Sequence, residues 1–346
     1  MKLRSKLVGL CLALATPGLQ AQEARILVKP AESKTWGFVN LKGEMAIPAQ
    51  YRKVSEFTAD GFAAVYDGKY YFINAKGEKL ETEAQNFKLK NFLGFGMRGF
   101  NNGVAPVEVN KKWGYINTSG KIIIAPKYDY VTAFNDDIAT AKVGKQWYII
   151  NKQGAETAVN IPNLKNLRDF VNGYAIFDNM DKKFGYINTK GEVVIEPTFT
   201  SVGDFYNGMA WAKNDQKMSG YINTKGEWVI EPTYNVARNF DAGSGMAMVK
   251  QTDQWFYITK DGQAVKPGYD KIDDFKNGIA MARKGELTGF INKTGKWLIT
   301  PQYEGARDFK NGYAAAKSNG KWGIINTKGE WVIQPKHDAI KDVIII

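Results

Sequence analysis

Short apolar runs alternate with polar turns along nearly the whole chain, and one arrangement of them recurs nine times. A run of the form Trp-Gly-aromatic-Ile is cut by Asn, and Gly follows three residues later. Examples are Trp36-Gly37-Phe38-Val39-Asn40 with Gly43, Trp113-Gly114-Tyr115-Ile116-Asn117 with Gly120, Phe184-Gly185-Tyr186-Ile187-Asn188 with Gly191, and Trp322-Gly323-Ile324-Ile325-Asn326 with Gly329. The marker Asn falls at 40, 74, 117, 151, 188, 223, 292 and 326, with Thr259 in its place once, so successive spacings are 34, 43, 34, 37, 35, 36, 33 and 34. A fixed period in this range marks a repeat architecture, in which no unit buries its apolar faces without a neighbour.

One unit can be read residue by residue. Tyr221-Ile222-Asn223 is β-prone, Asn223-Thr224-Lys225-Gly226 is a turn, and Glu227-Trp228-Val229-Ile230-Glu231-Pro232 is β-prone again. Asn at the first turn position and Gly at the fourth fit a type I turn closed by a left-handed Gly, the three-residue hairpin loop with a bulge. Pro232 is expected to end its strand, because proline cannot donate to a ladder. A connector carrying Tyr and then Phe follows, as in Tyr303 and Phe309, and then a strand such as Asn311-Gly312-Tyr313-Ala314-Ala315-Ala316. One Ala of that strand recurs as Ala63, Ala105, Ala139, Ala175, Ala210, Ala247, Ala280 and Ala314. A position held to Ala while its neighbours vary from Phe to Met predicts close contact with an adjacent unit. The Trp-Gly strand is apolar on both faces, so both are covered, and no useful length of chain has helical period.

The expected fold is therefore all-β, a tandem array of about nine three-stranded meanders of ~35 residues each. The chain ends favour a β-propeller-like ring over the alternative, an open β superhelix or solenoid. The last unit stops at Ile346 where its third strand should begin, and Ile26-Leu27-Val28-Lys29 lies where such a strand should end before Trp36. An N-terminal strand in that place would complete the last unit and remove exposed edges.

The Trp-Gly pair, the Asn-x-x-Gly turn and the strand ending in Pro resemble the WG (KWG) β-repeat family of bacterial proteins over residues 30–346. Several copies depart from the pattern: Tyr70-Tyr71, Trp147-Tyr148 and Trp255-Phe256 put an aromatic where Gly stands, and Ser219-Gly220 and Thr288-Gly289 lack the Trp. The resemblance implies binding or interaction modules, and it brings no catalytic residues.

Residues 1–21 stand apart as a signal peptide: Lys2, Arg4 and Lys6, then the apolar run Leu7 to Ala15, then Pro17-Gly18 and Ala21 before a cut. The run is too short to span a bilayer, and the bulky Leu10 before Cys11 makes a poor lipidation signal. Residues 22–346 are then one repeat domain, exported to the periplasm or secreted, with no transmembrane segment after removal of the leader. Without the leader 44 Lys and Arg face 35 Asp and Glu, a net charge of +9. That bias points mildly toward acidic surfaces, and the scatter of the cations gives no expectation of nucleic acid.

Chemistry is thin. Cys11 is the one cysteine and His337 the one histidine, which removes thiol nucleophiles and multi-histidine zinc sites from the mature chain. No metal site or cofactor is expected. His337 occupies a position held by Tyr234 and Tyr303 in other units and reads as a packing residue. Asp136-Asp137, Asp273-Asp274 and Glu231 are the carboxylates a glycosidase would need, but they coincide with positions that are polar across the repeats. The expected function is thus a non-catalytic scaffold for a protein or cell-envelope partner. Binding of an acidic polymer or glycan is the alternative, and a carbohydrate-active enzyme is the remote one. Two partner surfaces are expected. The longest spacing contains Phe92, Phe95, Met97, Arg98 and Phe100, residue types enriched at interfaces, in an insertion of the kind that maps to a binding face. The turn lysines Lys42, Lys76, Lys190, Lys225 and Lys328 would line one rim, each with a Glu two residues on that offsets its charge.

Overall fold

A computed structural model describes residues 23–89, 99–135 and 137–346. Among the described residues the chain forms nine antiparallel sheets, seven of four strands and two of three. They are the blades of a β-propeller, and we number them from the blade that holds both chain ends. The ring closes as its ends suggest. Ala24–Lys29 pairs on one side with Trp36–Val39 and on the other with Ala339–Ile345, in registers Ile26↔Val39 and Ala24↔Ile345. Ile26, which pairs with Val39 as the recurrent Ala314 pairs with Ile325, stands where the other blades have that Ala and is fully buried in a cluster with Ala315 and Ile324 of the ninth blade.

The blades have a strand more than the sequence pattern suggests. The connector supplies it: Tyr130–Val131 pairs with Ile138–Val143, and the Thr132 N–H continues the ladder to Thr140 O at 3.0 Å. Backbone groups of a buried connector need partners, and the following strand provides them. Each four-stranded blade therefore runs first strand (connector), second (the Ala strand), third (the strand of the Trp-Gly position) and fourth, which carries Pro where the repeat Gly is kept. Proline does not end the fourth strand. Trp228–Tyr234 passes through Pro232, and its register to the third strand shifts between Ser219↔Tyr234 and Tyr221↔Ile230. The strand bulges off the ladder there, so the missing N–H leaves no bond unmade.

The turns form as read. Gly226 has φ 84° and its N–H reaches Asn223 O at 3.0 Å, while Asn223 Oδ1 accepts from the Lys225 and Glu227 N–H groups. The recurrent Ala residues are all buried in clusters between blades, Ala63 with Phe38 and Phe57, for example. Third-strand tyrosines latch one blade to the next: Tyr115, Tyr186, Tyr221 and Tyr257 donate to the first-strand carbonyls of Thr132, Gly203, Arg238 and Asp273 at 2.6–2.8 Å. Turn asparagines do the same, with Asn101, Asn135, Asn172 and Asn311 donating to the carbonyls of Phe134, Phe170, Phe205 and Val343 at 2.6–3.0 Å. Neighbouring first strands are thus tied almost directly, which sets them on the inner side of the ring. Fourth strands alternate buried and exposed, as in Ile195 and Phe199 against Glu196 and Thr198, the pattern of a sheet edge half in water.

Candidate functional site

An antiparallel blade puts its first-to-second and third-to-fourth turns at one rim of the ring and its second-to-third turns at the other. Lys42, Lys76, Lys190, Lys225 and Lys328 are all exposed on the first of these rims. The Glu two residues on is fixed within the same turn. It accepts a hydrogen bond from the turn Asn Nδ2 at 2.7–2.9 Å, so its charge stays beside the lysine without a direct ion pair among the described residues. Phe92, Phe95, Met97 and Arg98 lie outside the described residues. Phe100 is 2% exposed and packs on Phe62 and Phe72 with centroids at 4.8 and 4.7 Å, so it faces the core and no partner. Lys88 pairs with Glu108 as Tyr130 pairs with Lys142. Lys88 therefore stands at the first-strand position of the third blade, and Phe100 comes just before Asn101, which bridges Val104.

His337 pairs with Trp322 as Tyr128 pairs with Trp113, is 5% exposed, and has no hydrogen-bond partner on either ring nitrogen. Burial, and then Lys336, push its pKa down. It is a packing residue. Among the catalytic carboxylate candidates, Asp136 is outside the described residues, and Asp137 is exposed and ion-paired to Lys152 at 2.6 Å. Glu231 faces outward on a fourth strand of the sixth blade, while Asp273 and Asp274 sit on the first strand of the eighth, so the fold does not assemble them. Among the described residues no group of three His, Cys, Asp or Glu is placed to hold a metal ion, and no helix is long and apolar enough to cross a membrane.

The inner strands carry a feature that sequence reading missed. Glu56, Asp169, Asp204, Asp274, Asp308 and Asp342 occupy one equivalent position, immediately before the buried first-strand Phe, or Val343 in the first blade. The signal was legible as a recurrent acid-Phe pair in the connectors. Burial raises the pKa of Glu56, Asp204, Asp274 and Asp308. Like charges add to it: Asp342 beside Glu56, and Asp273, Asp342 and Asp274 around Asp308. Arg168, Arg238 and Lys276 oppose the shift at Asp204, Asp274 and Asp308. Across the closure Glu56 Oε1 accepts the Asp342 N–H at 3.0 Å.

Among the described residues, clefts lie beside each of the three blades in which an aromatic replaces the Gly of the repeat. A Cβ on Gly37 would lie 2.7 Å from Ile47 O and Ala49 N, and one on Gly289 2.5 Å from Ile299 O; Gly114, Gly185, Gly220 and Gly323 face the same atoms of their own fourth strands. These six blades have seven-residue fourth strands: Met45–Tyr51, Ile122–Tyr128, Val193–Phe199, Trp228–Tyr234, Trp297–Tyr303 and Trp331–His337. With Tyr148 the fourth strand is Glu156–Val159, with Phe256 it is Ala264–Val265, and with Tyr71 a single bridge Ile73↔Lys79 takes its place. The clefts hold about 650 Å³ at Tyr71, 830 Å³ between Trp147 and Phe184, and 540 Å³ between Trp255 and Tyr269.

A family profile described as the WG containing repeat matches residues 36–71, 96–113, 113–147, 184–217, 220–255, 255–287, 289–322 and 322–343. No curated protein matches the sequence. Among solved structures, a crystal structure of the eukaryotic initiation factor aligns with TM-score 0.61 and 10% identity, covering 92% of this chain and 98% of that one. BamB from Moraxella catarrhalis aligns with TM-score 0.41 and 9% identity over 88% and 93% of the two chains. The WD40 β-propeller domain of Doa1 gives 0.32 and 13% over 64% and 84%. At such identities the first of these likenesses shows a shared fold and nothing more.

Proposed function

This chain belongs to the family built from the WG containing repeat, and from that premise we propose that it is a non-catalytic binding scaffold of the bacterial cell envelope whose partner surface is the set of clefts at the interrupted blades. The observation that carries the reading is the correspondence between replaced Gly and shortened fourth strand. Six blades are closed at their edges and three are opened, and the opened ones expose aromatic and charged side chains in concave sites of ligand-binding size. Export rests on Lys2, Arg4, Lys6 and the apolar run after them, and the mature protein begins near Gln22 on this reading. Its intact mass, taken from the periplasmic fraction, tests that part; a mass that retains residues 1–21 sinks it.

Capture from envelope extract tests the surface. A variant carrying Tyr66→Ala, Lys142→Ala and Trp255→Ala loses the partner that the parent retains, while a variant with the five turn lysines changed to Gln keeps it. The reverse result moves the surface to the lysine rim. That rim supports a second reading, attachment to an acidic polymer, because its lysines stand exposed while each neighbouring Glu is held by an Asn. Salt-sensitive retention of the parent on an anionic matrix, lost in the lysine variant, would favour it.

A further inference from the structure

The cleft between the seventh and eighth blades carries an inference that rests on the scaffold reading and names a ligand class for one of its sites. Phe256 is buried where a Gly stands in six other blades, and the fourth strand of the seventh blade ends at Val265. The chain then turns through Pro267-Gly268 instead of covering the third strand, and Trp255 is left 37% exposed at the mouth. The cleft holds about 540 Å³, within the range of small-ligand sites.

Its lining combines three chemistries. Trp255 offers a broad aromatic surface, with the Arg238 guanidinium 5.9 Å from the ring centroid. Lys266 and Lys271 are exposed donors at the edge, Lys266 Nζ lying 4.9 Å from the Phe256 centroid with no carboxylate paired to it among the described residues. Asp253 and Asp270 bring acceptors. The first is 3.6 Å from Lys250, and the second takes the Gly285 N–H at 2.7 Å on Oδ2. Ionised carboxylates only accept and ammonium groups only donate. A ligand that suits both has hydroxyl donors and an anionic group together, on a body with a flat C–H face for the indole. A densely anionic ligand would set its charges against Asp253 and Asp270, and a neutral apolar one would leave Lys266 and Arg238 without counter-charge.

We propose that this cleft binds an acidic saccharide, a pyranose ring bearing one carboxylate, with the ring on Trp255, the carboxylate at Lys266 and Arg238, and the hydroxyls at Asp253 and Asp270. The site lies at the second-to-third turns, on the rim opposite the turn lysines. Trigalacturonate is titrated into the full-length mature protein and followed by tryptophan fluorescence and calorimetry, with neutral galactotriose and a tri-glutamate peptide alongside. Trigalacturonate binds, and galactotriose binds more weakly by about tenfold, the effect of losing one charge contact. Trp255→Ala and the conservative Lys266→Gln each weaken trigalacturonate by about tenfold, while Lys34→Gln, an exposed lysine of the first blade, leaves it unchanged. Equal binding by all three variants, or preference for the peptide, overturns the proposal. A parent that binds no trigalacturonate but captures an envelope partner in a Trp255-dependent way overturns the saccharide and keeps the scaffold. A parent that does neither removes both.

Discussion

The sixth and seventh blades are neighbours with repeats of nearly equal length and opposite outcomes at their edges. In the sixth, Gly220 lies under Ile230 and Pro232, and Trp228–Tyr234 runs as a full fourth strand. In the seventh, Phe256 stands in that place and the fourth strand shrinks to Ala264–Val265. The sixth blade also lacks the Trp of the repeat, since Ser219 precedes its Gly, and the eighth has Thr288 there, yet both keep seven-residue fourth strands. The Gly decides closure and the Trp does not. The cause is backbone lying on backbone: a bulge that carries proline comes so near the third strand that no Cβ fits, and only Gly has none.

The sharpest way to break this comparison is Phe256→Gly. If the seventh blade has repacked around its buried ring, the loss resembles deletion of a core Phe, about 3–5 kcal/mol by denaturant midpoint. A stabilised variant would instead mean that the ring merely obstructs a fourth strand ready to close. The converse, Gly220→Phe, forces a side chain against Ile230 O and is expected to cost about 1–3 kcal/mol or more, as overpacking does. Hydrogen exchange should show faster amides across Trp228–Tyr234 and little change in the seventh blade; protection that stays at the parent level would show the contact to be soft.

The inner carboxylates are expected to act in the opposite direction. Burial raises the pKa of Asp308 above its unfolded value, so the folded state holds the proton more tightly and stability falls as pH rises through that range. Asp308→Asn should therefore stabilise at neutral pH, by about 0.5–1 kcal/mol, because the neutral amide removes the cost of holding a charge in a half-buried site among other carboxylates. The advantage should vanish in acid, where the carboxyl is protonated in both folded and unfolded protein. Melting curves at neutral and acid pH check the sign, and a gain that persists in acid would mean that charge is not its source. Smallest of all, Lys225→Gln on the turn rim should change stability by less than about 0.5 kcal/mol, because its ammonium has no carboxylate partner in the turn; a larger loss would show that the rim charges are structural.

Closure of the ring was legible in the chain ends, since Ile26 to Lys29 sits at the phase of a second strand and the structure pairs it there. The fourth strand per blade was not legible, because the connector makes its ladder with residues that follow a turn and its own apolar pattern is only two or three residues long. Phe100 was misplaced for a related reason. Composition marks an aromatic beside an insertion as an anchor, whereas packing on Phe62 and Phe72 makes it core. The acid before each connector Phe was visible as a pair, but nothing in a linear pattern says that successive copies converge on one axis.

The sequence alone determined what depends on local and periodic physics. The Asn-x-x-Gly turn needs positive φ at one residue, the recurrent Ala marks a close contact between units, and the period demands neighbours on both faces. The tertiary structure decided everything that depends on distance between strands. It brought the proline bulge onto the Gly, drew six carboxylates inward from six blades, and turned three aromatic replacements into clefts. A side chain's identity is written at its own position, but the clash it makes or the cleft it opens belongs to the strand that packing lays against it.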